Sequence, residues 1–314
     1  MLDLDDVFLS TRFNITTNQI LQLKDHVFEW IGNGITGALI IGRPRVGKTT
    51  AMLEISSKLK EKYGKNLPIY IYNVTNHLPR DKSFYSDLLK VVGHPESEKG
   101  TVTALKERLV NALASSACNI GCKRIVLFID EAYHLADKEF QWLMDIYNHL
   151  YLRDIHLTVF LIGTEELRVK KQALILSRQY QITGRFMTEE YSFHGIQSLK
   201  DLAICLSNFD MNFKLFENDN IIFTKEFFPE AYADGHRLMK SAPLIMEIFE
   251  ENMKQIGIPV SSEIPMQYFI NAVKYCLKTY GIDGKKIYFP DKSAWDDSIK
   301  HSGYIAAERM YFDV

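Results

Sequence analysis

Cysteine is scarce: Cys118, Cys122, Cys205 and Cys276 are the only four in 314 residues. Cys118 and Cys122 fall together in CNIGC, yet no second Cys or His pair follows at zinc-ligand spacing, so a zinc-binding module is excluded. The expectation is plain thiols in a reducing compartment. Long hydrophobic runs are also missing. The apolar runs are strand-sized, far short of the ~20 residues a membrane-spanning helix needs. The first ten residues, MLDLDDVFLS, are acidic and lack the basic-then-apolar order of a signal segment. Together these absences lead to an expectation of a cytoplasmic protein with no membrane partner. Net charge is absent too. Thirty-seven Lys and Arg stand against 39 Asp and Glu, a balance of −2, so any nucleic-acid surface must be a local basic patch. There is no internal repeat and no low-complexity stretch.

The composition that remains, 46% hydrophobic and 24% charged, is ordinary for a globular chain. The length suits one large domain or two smaller ones, each able to bury a core. Residues 17–31 place Ile20, Leu23, Val27, Phe28 and Ile31 on one helical face. Thr17 stands where a cap belongs, and Gly32 and Gly34 stand at the exit. Four apolar runs then recur at wide spacing: ALII (38–41), PIYIYNV (68–74), RIVLFID (124–130) and LTVFLIG (157–163), with a weaker fifth in EEYSFHG (189–195). Between them lie helical stretches, one with Val102, Leu105, Leu109 and Leu113 on a single face. Continuous apolar strands separated by helices predict a parallel sheet covered on both faces. After Gly195 the strand runs stop and three amphipathic segments follow, LKDLAICLSNF, PLIMEIFEENMKQIG and MQYFINAVKYCLKTYG. The predicted organisation is an N-terminal helical segment (1–34), an α/β core (35–195), a small helical lid (196–282) and a tail (283–314). The tail carries Gly, Pro, Asp and aromatics without a clear period. It is a candidate partner-docking segment or a loosely packed end.

The most specific motif is GRPRVGKT (42–49), a complete Walker A phosphate loop that leaves an apolar strand and opens a helix. Glycines are needed there because backbone N–H groups must approach the phosphates closely. Gly42, Pro44, Arg45, Val46, Gly47, Lys48, Thr49 and Thr50 are the candidate nucleotide contacts. Within them, Lys48 would reach the β- and γ-phosphates and the Thr49 hydroxyl would bind Mg²⁺. RIVLFIDEA reads as the Walker B strand, with Asp130 holding the metal and Glu131 polarising the attacking water. The adjacent glutamate argues for hydrolysis and not binding alone. Thr164, at the tip of LTVFLIGT, stands where a polar group can orient that water, since ligands gather at carboxyl ends of strands. Arg178 and Arg185 in SRQYQITGRF are two candidates for an arginine donated to a neighbouring subunit's γ-phosphate. Arg237, in GHRL, is a candidate nucleotide contact from the helical lid.

In this order, GRPRVGKT, KGTV (99–102), VLFIDEAYHL, VFLIGTEEL and GRFMTEEYSF resemble the AAA+ ATPases, and more narrowly the TnsC/TniB branch of transposition regulators, over residues 35–250. The resemblance implies an AAA+ P-loop fold with a five-stranded parallel sheet and a helical lid. It implies ATP and Mg²⁺ as cofactors, and a homo-oligomer, ring or helical filament, assembled around double-stranded DNA. It also implies a TniQ/TnsD-like target selector and a transposase as partners, disassembly on hydrolysis, and a nucleoid-associated state on DNA. Lys48, Thr49, Asp130, Glu131 and Thr164 carry over by position, and Arg185 matches the finger better than Arg178. DNA contacts in this branch come from the region between the second strand and Walker B. Lys82, Lys99 and Thr101 are the nearest matches there, with Arg80 beside them. Cationic loops, a hydroxyl and helix-start N–H groups suit phosphate contact. Two other readings share the P-loop. A STAND-type signalling or defence ATPase would append an effector or repeat domain, which the sequence does not display. A small-molecule kinase fits the Asp-Glu pair poorly.

Overall fold

The computed structural model describes residues 15–75, 78–118, 123–212, 221–257 and 263–312. The acidic stretch 1–10, Cys122 and the last two residues of the tail lie outside them. The chain divides into two compact units, one of residues 22–43 and 48–193 and the other of residues 1–21, 44–47 and 194–314.

The first unit is an α/β layer structure. In chain order it holds most of helix α1 (Asn18–Gly32), β1 (Gly37–Ile41), α2 (Lys48–Tyr63), β2 (Ile69–Asn73), α3 (Asp81–Val92) and α4 (Val102–Cys118). Then follow β3 (Arg124–Asp130), α5 (Asp137–Tyr151), β4 (His156–Gly163), α6 (Glu166–Leu176), α7 (Tyr180–Phe186) and β5 (Glu189–Ser192). The five strands form one sheet in the order β2-β3-β4-β1-β5, and every pair is parallel. The central strands β1, β3 and β4 are buried along nearly their whole length. That is why their sequences are unbroken apolar runs and not alternating ones. The edge strand β5 alternates between half-buried and exposed residues. It ends at Ser192, three residues short of the sequence expectation, with the Phe193 N–H still donating to the Ile41 carbonyl at 2.6 Å. Strand β1 begins one residue earlier than expected, at Gly37. A Cβ at Gly37 would lie 2.5 Å from the Phe186 Cα, so only glycine allows α7 to cross this close.

Helix α1 starts as predicted, with Thr17 Oγ1 accepting from the Ile20 N–H at 3.2 Å. Leu23, Val27 and Ile31 are its buried face. Helix α4 buries Leu105, Leu109 and Leu113 in the same core as Phe84 of α3, Leu127 of β3 and Leu143 of α5. Cys118 ends α4 exposed.

The second unit is helical: α8 (Leu199–Asp210), α9 (Phe223–Phe227), α10 (Pro229–Ala233), a 3₁₀ turn (Leu238–Ser241), α11 (Ala242–Gln255), α12 (Met266–Tyr280), α13 (Lys292–His301) and α14 (Tyr304–Phe312). Its core joins Leu206, Phe223, Phe249, Val273, Trp295 and Tyr304. The region without sequence period, 283–314, thus contributes two helices. Asp291 caps α13 by accepting from the Ala294 N–H at 2.9 Å, and Trp295 is fully buried. Cys205 and Cys276 lie in this core, where burial pushes both thiols up to about 12. Among the described residues no helix is long and apolar enough to cross a membrane.

Candidate functional site

Register explains how distant segments meet. Ile41 pairs with Gly163 across β1 and β4, Ile129 with Leu161 across β3 and β4, and Asn73 with Asp130 across β2 and β3. The Walker A loop, Asp130, Glu131 and Thr164 therefore leave the sheet side by side at its carboxyl edge, where α/β sheets bind ligands. The loop is fastened to the neighbouring strand by the Gly42 N–H, which donates to the Gly163 carbonyl at 3.1 Å.

Within the loop, Arg45 (φ +69°) and Gly47 (φ +103°) both adopt left-handed backbone, the alternation that curls successive N–H groups around an anion. A Cβ at Gly47 would meet nothing nearer than Met266 at 3.8 Å. It is the backbone angle, then, and not crowding, that calls for glycine here. Val46 is fully buried. Arg45 is held on both sides by Gln267, whose N–H donates to its carbonyl at 3.1 Å and whose Oε1 accepts from its Nη1 at 3.0 Å. Pro44 precedes these bends and Thr50 continues α2, where it is half-buried. Lys48 is buried, and its Nζ donates to the carbonyls of Gly42 at 2.7 Å and Arg43 at 2.9 Å.

Thr49 Oγ1 donates to Asp130 Oδ2 at 2.8 Å, and Asp130 Oδ1 accepts from the Glu131 N–H at 3.0 Å. A hydroxyl and a carboxylate this close are the hard oxygen donors that fit Mg²⁺, which takes one or two protein oxygens and keeps the rest for phosphate and water. Glu131 itself turns left-handed (φ 54°, ψ 37°) and starts the 3₁₀ turn Ala132–His134, a conformation rare for a glutamate. It ends the strand abruptly at the site. Two neighbours were not legible in the sequence. Tyr133 hydrogen-bonds Glu131, and burial first, then that bond, push its phenol up to about 12. Glu166 accepts the hydroxyl hydrogen of Thr164. Both lie two residues beyond a predicted site residue, a spacing with no periodic signal.

The arginines have separate surroundings. Arg185 is half-buried with its guanidinium over the Tyr147 ring at 4.3 Å, and its carbonyl accepts from Thr36 Oγ1 at 2.5 Å. Arg178 is exposed on left-handed backbone (φ +60°) at the turn between α6 and α7. Arg237 immediately precedes the 3₁₀ turn that leads into α11. Its guanidinium stacks 3.6 Å over Tyr232 and donates to the Tyr232 and His236 carbonyls at 2.9 and 2.6 Å.

The candidate DNA residues occupy two helix starts. Arg80 is the residue before α3 and Lys82 its second residue, both exposed. Lys99 and Thr101 are exposed just before α4. Thr101 Oγ1 accepts from the Ala104 N–H at 3.3 Å, so it caps α4 and keeps its own hydrogen to donate. Sequence reading missed Arg108, one and a half turns into α4. Its Nη1 donates to the carbonyls of Glu96 at 2.6 Å and Lys99 at 2.8 Å. That fixes the loop whose bend is Gly100 (φ +113°).

Residues 36–170 match the family model described as AAA domain. A search of curated proteins found no match. Among solved structures, the chain is similar to Drosophila ORC bound to poly(dA/dT) DNA and Cdc6, with 12% identity over 85% of this chain and a TM-score of 0.50. It spans 39% of that ORC chain. It is also similar to Cdc6p from Pyrobaculum aerophilum, with 12% identity over 95% of this chain and 83% of the other and a TM-score of 0.47. AMPPCP-bound DnaA from Aquifex aeolicus is a third, with 15% identity over 98% and 93% of the two chains and a TM-score of 0.40. With a phosphate loop on β1, an Asp-Glu pair on β3 and the sheet order between them, the α/β unit has the AAA+ P-loop fold, and its residues 36–170 match the AAA-domain model.

Proposed function

We propose that this protein is an ATP-dependent, DNA-binding AAA+ regulator of transposition. In this reading it oligomerises on double-stranded DNA, links a target selector of the TniQ/TnsD kind to a transposase, and leaves DNA on hydrolysis. The observation that carries the ATPase part is the 2.8 Å Thr49–Asp130 pair beside Lys48 and Glu131. The transposition part rests on the ordered resemblance of GRPRVGKT, VLFIDEAYHL, VFLIGTEEL and GRFMTEEYSF to the TnsC/TniB branch.

The residues divide the work. Loop N–H groups and Lys48 bind and orient the phosphates. Thr49 and Asp130 hold Mg²⁺, which when bound neutralises charge on the β- and γ-oxygens. Glu131 accepts a proton from the water that attacks the γ-phosphorus, and the bridging oxygen leaves with ADP. Thr164, fixed by Glu166, orients that water. Arg185 serves the site of an adjacent protomer, and Arg237 is a further nucleotide contact. Lys82, Lys99, Thr101 and Arg80 contact DNA phosphates, which carry little sequence information. A few contacts per protomer multiply over an assembly, so a chain of net charge −2 still binds duplex firmly.

Electron microscopy with a non-hydrolysable ATP analogue, with and without duplex DNA, tests the reading. Rings or filaments that need both ligands are expected. A nucleotide-bound monomer indifferent to DNA would leave the ATPase site and remove the transposition role, in favour of a signalling ATPase or a small-molecule kinase.

A further inference from the structure

The loop between α3 and α4 is rich in charge of both signs, and the charges are paired. Glu98 Oε1 lies 2.9 Å from Lys90 Nζ. Glu96 lies 3.8 Å from Lys99 Nζ and 3.9 Å from Arg108 Nη2. The bond to Lys90 holds the Glu98 carboxyl below the usual carboxylate range, and the charge of Lys82 adds to it. Lys82 and Lys90 are two helical turns apart on α3, so they share a face. Lys82 and Lys99, from separate segments, thus have the two loop glutamates for neighbours, together with Lys90 and Arg108. Arg108 differs in kind. Its two bonds to loop carbonyls are a brace that keeps the glutamates where they are.

We infer that Glu96 and Glu98 are a charge latch on the nucleic-acid surface, masking Lys99 and Lys90 until duplex phosphates displace them. The inference rests on the DNA-binding reading above and adds Lys90 as a phosphate contact. Its consequence is thermodynamic. A free lysine on the surface gives each phosphate contact a salt slope of about 0.9, because the phosphate sheds its condensed counterion. When a carboxylate already neutralises the lysine, the exchange frees that carboxylate, which gathers a cation of its own. The net ion release falls towards zero. The wild-type protein therefore shows a shallower salt dependence than its number of phosphate contacts, and weaker binding at low salt.

The test is fluorescence anisotropy of a short labelled duplex, with a non-hydrolysable ATP analogue present, over a series of salt concentrations. Glu98→Gln is expected to bind severalfold tighter at low salt and to steepen the log–log slope by about one. Glu96→Gln should do the same through Lys99. Glu226→Gln, on an exposed helical position of the other unit, makes the same change in net charge and should match wild type. Combining Glu98→Gln with Lys90→Ala should abolish the gain. A Glu98→Gln variant with wild-type slope and affinity, or one no different from Glu226→Gln, overturns the latch while leaving DNA binding intact. A wild-type protein that ignores the duplex at every salt overturns both the latch and the reading beneath it. Thermal melts of each variant separate loss of fold from loss of binding.

Discussion

At residue 37 the absence of a side chain decides where an arginine stands. A Cβ there would meet the Phe186 Cα, O and C at 2.5, 2.7 and 2.8 Å. All three are backbone atoms, so no rotamer change relieves the contact. Phe186 follows Arg185, whose carbonyl is tied to Thr36 one residue before the glycine. Gly37→Ala should therefore cost ~1–3 kcal/mol, the range for overpacking, and lower ATP turnover more than ATP affinity as Arg185 shifts. Urea unfolding and steady-state ATPase assays check this, and a variant that unfolds like wild type refutes the close approach. That Lys48, Thr49, Asp130 and Glu131 come together was legible in the sequence because GRPRVGKT and RIVLFIDEA set each of them at the end of an apolar strand. Gly37 was not legible, because its partner Phe186 comes from a segment about 150 residues away. Tyr133 and Glu166 were silent for another reason: each touches a candidate site residue two positions away, a spacing that carries no periodic signal.

At the scale of elements, strands announced themselves and the tail did not. Strands β1, β3 and β4 are enclosed on both faces, so burial writes a continuous apolar run into each. Helix α13 has ten residues and spends three of its four buried positions on Ala294, Ser298 and Ile299, with Trp295 as its one large anchor. Too few apolar positions remain to show a period. Polar bonds supplement the anchor. Asp297 of α13 accepts from the Tyr280 hydroxyl of α12 at 2.6 Å and lies 3.2 Å from His301 Nδ1, while His301 stacks on Tyr275 at 4.5 Å. The Tyr280 hydrogen bond, helped by His301, holds the Asp297 carboxyl below the usual carboxylate range. A carboxyl lowered in the folded state adds stability above its unfolded value of ~3.9 and loses it as pH falls through the folded value. Asp297→Asn should melt below wild type at neutral pH, and the gap should close as pH is taken below about 4. Melting curves across that range are the check, and a gap independent of pH contradicts it.

For the whole molecule, hydrolysis is expected to need a second copy. Arg185 rests on Tyr147 and Arg178 stands exposed on strained backbone. Arg185→Ala should bind ATP normally and hydrolyse it ~10³-fold more slowly in the presence of DNA. Mixing it with Lys48→Ala, which lacks a working site but keeps the finger, should restore turnover at roughly a quarter of interfaces by random assembly. No recovery in the mixture, or an Arg178→Ala variant with the larger defect, would reassign the finger. The α/β unit was readable because its apolar strands and phosphate-loop motif follow one another in a fixed order along the chain. The pairing of charges around residues 90–108 was not, because a count of lysines and glutamates in a loop does not reveal which touch.

The thiols described earlier offer an optical handle. Cys205 and Cys276 are buried with strongly raised values, so dye-labelling reagents reach Cys118 first, and Cys122→Ser leaves it as the single target. Cys118 ends a helix of 17 residues whose opposite end carries the Lys99–Thr101 loop. At ~1.5 Å per residue the two ends stand ~25 Å apart. A donor dye at this native position and an acceptor on the duplex would therefore test by energy transfer whether that loop meets DNA, without a cysteine having to be introduced.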